Sequence, residues 1–241
     1  MSDNNLRMER MPTNWCAGCL LTAILIQTAS VTKKLGMNKT NTVAISGIGC
    51  TARGTGYLDF DGVNGLHGRA IPIAEGIKLA SPETNVFILS GDGDLTGIGG
   101  NHLMHAARRN LNITILCAVN ETYGMTGGQM APTTPKGTKT LTSPEGSEFN
   151  KLNVQGIITS NKNYFFARTS TAQQVHMVKC IEEAFKHKGF SFVEIYTPCF
   201  TNHGRRLKFK SFKGMLDDIK ERYPISEGKE LGNNEMGITR K

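Results

Sequence analysis

The sequence predicts an α/β protein: a parallel sheet with helices on both faces. Three observations carry that prediction. Helical and strand-like segments alternate from about residue 20 to residue 196. The strand-like segments are short, continuous apolar runs such as Val86-Phe87-Ile88-Leu89 and Ile113 to Val119, the pattern of strands buried on both faces. Glycine and Asx residues close those runs, as in Gly91-Asp92-Gly93-Asp94 and Asn120. No internal repeat competes with this reading.

Leu20 to Leu35 has helical spacing and stops at Gly36, a favoured C-terminal residue. Thr42 to Ser46 is a β-branched run and reads as a strand. Gly47 to Arg69 has no period and reads as a long Gly-rich loop. Ala70 to Leu79 is a helix with Pro72 in its first turn. Val86 to Ser90 is a strand, His102 to Arg109 a helix and Ile113 to Val119 a strand. Glu121 to Gly146 is a second long loop, rich in Gly, Thr and Pro. Loops of that length in a compact domain usually carry function. Tyr164 to Arg168 (strand), Ala172 to His187 (helix) and Phe192 to Tyr196 (strand) complete the alternation. The expected division is one cofactor domain over residues 1–199 and a basic tail over 200–241, ordered only against a partner subunit.

With 241 residues there is room for one large domain, and 39% hydrophobic with 20% charged residues describes a globular chain. Met1 to Pro12 is polar and no apolar run is long enough to span a bilayer, so a cytoplasmic, membrane-free protein is expected. The net charge of +8 reads either as a solvated surface or as a face for an acidic partner. Basic residues crowd from His203 to Lys213 around Phe209 and Phe212. No RNP, KH or zinc-finger pattern accompanies them, so a docking arm for a partner subunit is preferred to a nucleic-acid patch.

Asp92 and Asn120 follow successive strands of one strand–helix–strand unit. Both oxygens therefore belong at the carboxyl edge of the sheet, where open α/β proteins bind ligands. Two hard oxygen ligands beside a Gly-rich turn suit Mg²⁺ clamped onto a diphosphate. His67-Gly68-Arg69-Ala70 opens a helix and reads either as an anion site or as a capped helix with an exposed arginine. His102 and His105 read as packing residues. Gly91-x-Gly93-x-x-x-Gly97 has the wrong spacing for a dinucleotide fingerprint.

Of six cysteines, Cys117 and Cys180 fall on apolar faces and read as structural. Cys16, Cys19, Cys50 and Cys199 lie at element ends, where loops converge. Zinc, an iron–sulfur cluster and redox thiols are all open. The two-plus-one-plus-one spacing suits a cluster held between loops better than a zinc ribbon.

Six motifs occur in order: Trp15-Cys16-Ala17-Gly18-Cys19, Gly47-Ile48-Gly49-Cys50, His67-Gly68-Arg69-Ala70, Gly91-Asp92-Gly93-Asp94, Ile98-Gly99-Gly100-Asn101-His102 and Tyr123-Gly124-Met125-Thr126-Gly127-Gly128-Gln129. Together they closely resemble the β subunit of 2-oxoacid:ferredoxin oxidoreductases over roughly residues 12–199. The resemblance implies a thiamine diphosphate-binding fold, with a 4Fe–4S cluster on Cys16, Cys19, Cys50 and Cys199. It implies Mg²⁺ held by Asp92, Asn120 and the Thr122 carbonyl. Ile48, Gly49, Cys50, Thr51, His67, Gly68, Arg69, Gly91, Gly93, Asp94, Tyr123, Gly124, Met125 and Thr126 would line the cofactor. His67 and Arg53 would face the reacting groups.

The implied reaction is coenzyme A-dependent oxidative decarboxylation of a 2-oxoacid, with electrons passing to ferredoxin. The short chain with its His-Gly-Arg loop most resembles the 2-oxoglutarate type; pyruvate and branched-chain acids are the alternatives. Expected partners are an α subunit, which supplies the activating glutamate, and γ and ferredoxin-like δ subunits. Two departures stand out: Val119-Asn120 replaces an Asn-Asn pair, and Ala17-Gly18 and Leu20 replace Pro-Gly and Gly. Neither removes a ligand. A non-redox thiamine diphosphate enzyme with zinc or bare thiols, and a basic nucleic-acid module, are the competing functions.

Overall fold

Each continuous apolar run has two faces to bury, and the chain satisfies both by placing the runs side by side between helices. The computed structural model describes residues 4–226 and 231–241. Its strands are β1 (Thr42–Ser46), β2 (Asp61–Asn64), β3 (Asn85–Gly91), β4 (Thr114–Val119), β5 (Thr122–Tyr123), β6 (Gln129–Met130), β7 (Phe165–Ser170), β8 (Ser191–Tyr196) and β9 (Gly237–Arg240). Its helices are α1 (Leu21–Lys34), α2 (Ala70–Ala80), α3 (Gly100–Arg109), α4 (Val154–Thr159), α5 (Gln174–Lys186) and α6 (Phe212–Arg222). Among the described residues, one sheet runs in the order β2-β1-β3-β4-β8-β7-β9. All its neighbours are parallel except β9, which runs antiparallel to β7.

The period of two along each strand divides the core. Ala44, Phe87, Leu116, Ala167 and Val193 pack against α1 and α5 through Leu21, Ile24, Leu25, Met177, Cys180 and Ile181. Ile45, Ile88, Ile115, Phe166 and Phe192 face α2, α3, α4 and α6 through Ala70, Ile71, Leu103, Ala106, Ile158 and Ile219. Cys117 and Cys180 are both buried. Arg109 of α3 forms a two-pronged pair with Glu75 of α2 (2.7 and 2.5 Å), which ties these two helices together. Among the described residues no helix is long and apolar enough to cross a membrane.

Three regions differ from expectation. The loop after β1 contains a 3₁₀ segment, Thr51–Tyr57, and the edge strand β2. Thr51–Tyr57 carries three small residues and Thr55, whose hydroxyl meets Ser46 and Asn64, so polar contacts hold it. β2 is largely exposed, which removes the apolar signal of a central strand. The second long loop holds the short hairpin β5–β6, and helix α4 follows it in a stretch for which no element was expected.

The segment beyond Phe200 is likewise no irregular tail. Met215, Ile219 and Tyr223 recur every four residues and seat α6 on the core, and β9 extends the sheet. Charged neighbours mask so sparse an apolar stripe. Arg205, Arg206, Lys208, Lys210 and Lys213 remain exposed.

A buried ion pair fixes the last stretch. Arg168 of β7 donates to Glu194 of β8 (2.7 Å) and to the carbonyls of Gly232, Asn233 and Glu235. Both side chains are about 5% exposed or less. Removing one partner leaves the other charge uncompensated. Arg168→Met is therefore expected to cost about 3–5 kcal/mol of unfolding free energy in denaturant titrations, whereas replacing both residues with apolar ones costs less.

Candidate cofactor and cluster site

In a parallel sheet every strand ends at the same edge, so the loops after β1, β3, β4 and β8 meet there. Those loops carry Ile48 to Thr51, Asp92 to Asp94, Asn120 to Thr126, and Cys199. The chain leaves β1 toward β2 on one side and leaves β3 toward β4 on the other. The crevice between β1 and β3 is thus a topological switch point, the usual place for a ligand.

Asp94 organises this crevice. Its buried carboxylate accepts hydrogen bonds from the Ile48 N–H (3.1 Å), the Gly68 N–H (2.8 Å) and the Ser90 hydroxyl (2.8 Å), and contacts His67 Nδ1 (2.6 Å). Three loops are pinned by one side chain. The packing leaves no room at Gly47, where a Cβ would strike the carboxylate. Gly68 sits at φ +70°, and a Cβ there would strike Ile98 and the Gly99 backbone, a conformation and an approach that favour glycine. The sequence leaves the His67-Gly68 turn as either an anion site or a helix cap; in the structure the chain's own Asp94 takes the Gly68 N–H. Arg69 precedes α2 and its guanidinium donates to the Gly68 carbonyl.

Asp92 has no cationic partner among the described residues. It is 2% exposed and accepts from the Glu121 N–H (2.9 Å) and the Thr133 hydroxyl. Burial pushes its carboxyl up to about 7, against the pull of those hydrogen bonds. A carboxylate kept from ionising for want of positive charge is chemically suited to a cation. Asn120 follows at the end of β4, with its Oδ1 accepting from the Thr122 N–H (3.1 Å).

Between them Glu121 adopts φ +61°, which costs a non-glycine residue on the order of 1–2 kcal/mol. Its carboxylate meets Arg222 of α6 at 2.8 and 3.2 Å. The Tyr123 ring lies against Gly93 and Gly97, donates to the Gly93 carbonyl (3.2 Å) and stands edge-on to His67.

The four loop cysteines line one cavity of about 660 Å³, together with Arg53, Asn120, Gly124, Met125 and Asn202. Trp15 joins the first pair to the third cysteine by donating to the Cys50 carbonyl (2.7 Å). A Cβ on Gly124 would contact both the Asn120 amide and the Cys199 sulfur, so Asn120 and the thiols are neighbours. Asn202 donates to the Gly124 carbonyl (2.6 Å) and closes that side.

Burial pushes the Cys19 thiol up to about 11, and charge on Cys16, Cys199 and Cys50 would raise it further. Cys50 is raised for the same reasons. Among the described residues no group of three or more His, Cys, Asp or Glu side chains could hold a metal ion as placed. The thiols thus surround a cavity instead of converging on one point.

Residues 41–195 match the family model of the thiamine pyrophosphate enzyme C-terminal TPP-binding domain. The 2-oxoglutarate synthase subunit KorB of Archaeoglobus fulgidus is 42% identical, with 98% of this chain and 87% of the relative aligned. The corresponding subunit of Methanocaldococcus jannaschii is 36% identical over 96% of this chain and 86% of its own length. The chain belongs to the β subunits of 2-oxoacid:ferredoxin oxidoreductases. A solved 2-oxoglutarate:ferredoxin oxidoreductase from Magnetococcus marinus, with 2-oxoglutarate, coenzyme A and succinyl-CoA bound, superposes with a TM-score of 0.87 at 29% identity. That alignment covers 100% of this chain and 85% of the matched one.

The β-subunit motifs named from sequence do meet. Ile48 is partly exposed at the crevice mouth, with Gly49 beside it at φ +126°. Thr51 is buried beside Gly91. Met125 faces the thiol cavity, whereas the exposed Thr126 is taken up by Gln129. His102 and His105 stay on α3, away from these contacts. Three residues escaped sequence reading. Thr133 comes from a loop without period, and Glu121 and Arg222 are 101 positions apart.

The raised Asp92 pKa has a consequence for stability. Without a cation the folded chain holds a proton that the unfolded chain releases near 3.8. The folded state then binds more protons between about pH 4 and 7, so stability falls as pH rises through that window. Mg²⁺ with thiamine diphosphate is expected to raise the melting temperature more at about pH 7.5 than at about pH 5. An equal shift at both pH values would contradict the assignment.

Proposed function

We propose that this chain is the diphosphate- and cluster-bearing subunit of an enzyme that oxidatively decarboxylates a 2-oxoacid with coenzyme A. The products are acyl-CoA and CO₂, with two electrons leaving through a 4Fe–4S cluster to ferredoxin. The observation that carries this reading is the shared cavity: Cys16, Cys19, Cys50 and Cys199 line it together with Asn120 and Arg53. Thiols set around a space, instead of around a point, support a cluster over a single zinc ion, whose ligands lie about 2.3 Å from one centre. Relatives named for 2-oxoglutarate favour that substrate over pyruvate or branched-chain acids.

Asp92, Asn120 and the Thr122 carbonyl would hold Mg²⁺. Ile48, Gly49, Thr51, Gly91, Gly93, Tyr123 and Gly124 would shape the diphosphate and ring pocket. Bound there, thiamine diphosphate supplies the electron sink for loss of CO₂. His67, held at Nδ1 by Asp94, presents its other ring nitrogen in one fixed orientation. Arg53 lines the cavity and offers a guanidinium to a substrate carboxylate.

Among the described residues, no buried glutamate is free to activate the cofactor. The buried Glu75, Glu121 and Glu194 are each bound to an arginine. That arrangement supports a partner α subunit supplying this group. The basic 205–213 segment is available for a partner subunit or for ferredoxin.

The test is anaerobic purification with the partner subunits, followed by viologen reduction over a panel of 2-oxoacids with coenzyme A. Turnover, highest with 2-oxoglutarate, is expected of the complex, and none of the isolated chain. Cys199→Ser should lower bound iron and acid-labile sulfide. A complex holding zinc and no iron would refute the redox reading.

A further inference from the structure

Helix α6, near the end of the chain, reaches the turn that carries Asn120 and Thr122. Glu121 stands between Asn120 and Thr122 and is committed at every polar group. Its N–H donates to Asp92 (2.9 Å), its carbonyl accepts from the Thr134 hydroxyl (2.7 Å), and its carboxylate binds Arg222. The Glu121 side chain is 7% exposed, so its charge depends on that arginine.

Arg222 is itself braced. Its Nε donates to Asp218 one turn earlier on α6 (2.9 Å), and its guanidinium lies 5.3 Å from the centre of the Tyr223 ring. The Tyr223 hydroxyl approaches Glu121 (3.5 Å) and accepts from Lys151 Nζ (2.7 Å). Tyr196, at the end of β8, stacks on the same ring at 4.2 Å.

From these contacts we propose that Arg222 and Glu121 are positioning residues for the divalent cation. α6 holds the Asn120–Thr122 turn in its left-handed form, so that the Asn120 side chain and the Thr122 carbonyl are presented beside Asp92. The inference rests on the cation site assigned above and adds a role for residues 212–223. A turn at φ +61° reverts to an ordinary backbone conformation unless its surroundings over-determine it. Here the determinant comes from the far end of the chain. Partners in the second layer around a metal orient its ligands, and a residue that acts only in that way shows its loss in affinity, because saturating Mg²⁺ refills the site.

The experiment uses the anaerobically purified complex and titrates Mg²⁺ in the presence of thiamine diphosphate by calorimetry, beside steady-state turnover. Arg222→Met is expected to weaken Mg²⁺ binding by about 10–100-fold while kcat at saturating Mg²⁺ stays within about twofold. Arg222→Lys should recover part of that loss. Amide exchange over residues 120–124 of the cation-free complex should be faster in Arg222→Met than in wild type.

Should Arg222→Met fail to fold, Glu121→Gly replaces it, because glycine adopts the left-handed conformation without the ion pair. Adding Arg222→Met to Glu121→Gly should then cost little more, the non-additivity of a coupled pair. The exposed pair Arg240–Glu183 is the control, and Arg240→Ala should leave Mg²⁺ affinity unchanged.

Wild-type Mg²⁺ affinity in Arg222→Met, or a further loss of about tenfold or more on adding Arg222→Met to Glu121→Gly, overturns the proposal. Absence of Mg²⁺-dependent cofactor binding by the wild-type complex overturns the cation site itself and the proposal with it.

Discussion

Asp94 accepts hydrogen bonds from three separate segments: the loop after β1, the turn before α2 and the end of β3. Burial of that carboxylate is tolerable because N–H and O–H donors surround it. The walls of the crevice follow from this constraint. Ile48 and Gly49 hang from one of its bonds, His67 is oriented by another, and Gly47 has no space for a side chain. Substituting this residue would release three loops at once, which separates its role from that of the neighbouring Asp92.

Asp92 does opposite work two positions earlier. Asp94 is saturated with donors; Asp92 is buried with fewer of them and kept near neutrality without a cation. Alternating residues of one turn thus divide a structural task from the ligand task proposed for Asp92. The same logic runs through the thiols, where burial and mutual charge disfavour thiolates that a bound metal group would stabilise. Both halves of the site contain groups whose charge the chain alone does not balance.

The central sheet was legible because parallel strands are apolar throughout. β1 matches its expected bounds, and β3, β4, β7 and β8 agree within one or two residues. The ligand edge was legible too, since a parallel sheet sends every carboxyl end the same way, and Asp92, Asn120, Cys50 and Cys199 fall there as expected. What escaped was whatever lacks a local apolar period. β2 is exposed, Thr51–Tyr57 is held by hydroxyl contacts, and α6 buries only Met215 and Ile219, one turn apart, among lysines and aspartates.

Glu121 also escaped. An acidic residue between two ligand positions, directly after a buried strand, was a signal that a counter-charge must exist. Its identity as Arg222 was not readable, because only the folded chain brings α6 beside β4.

One sheet edge of this chain is proposed to carry both the Mg²⁺–diphosphate site and the cluster. Iron-edge anomalous diffraction from crystals of the anaerobically prepared complex with thiamine diphosphate and Mg²⁺ tests it most directly. The account predicts a compact iron signal enclosed by Cys16, Cys19, Cys50 and Cys199, with diphosphate density between Asp92 and Asn120 in the adjoining crevice. A zinc signal at those cysteines, or cofactor density elsewhere in the complex, would contradict it.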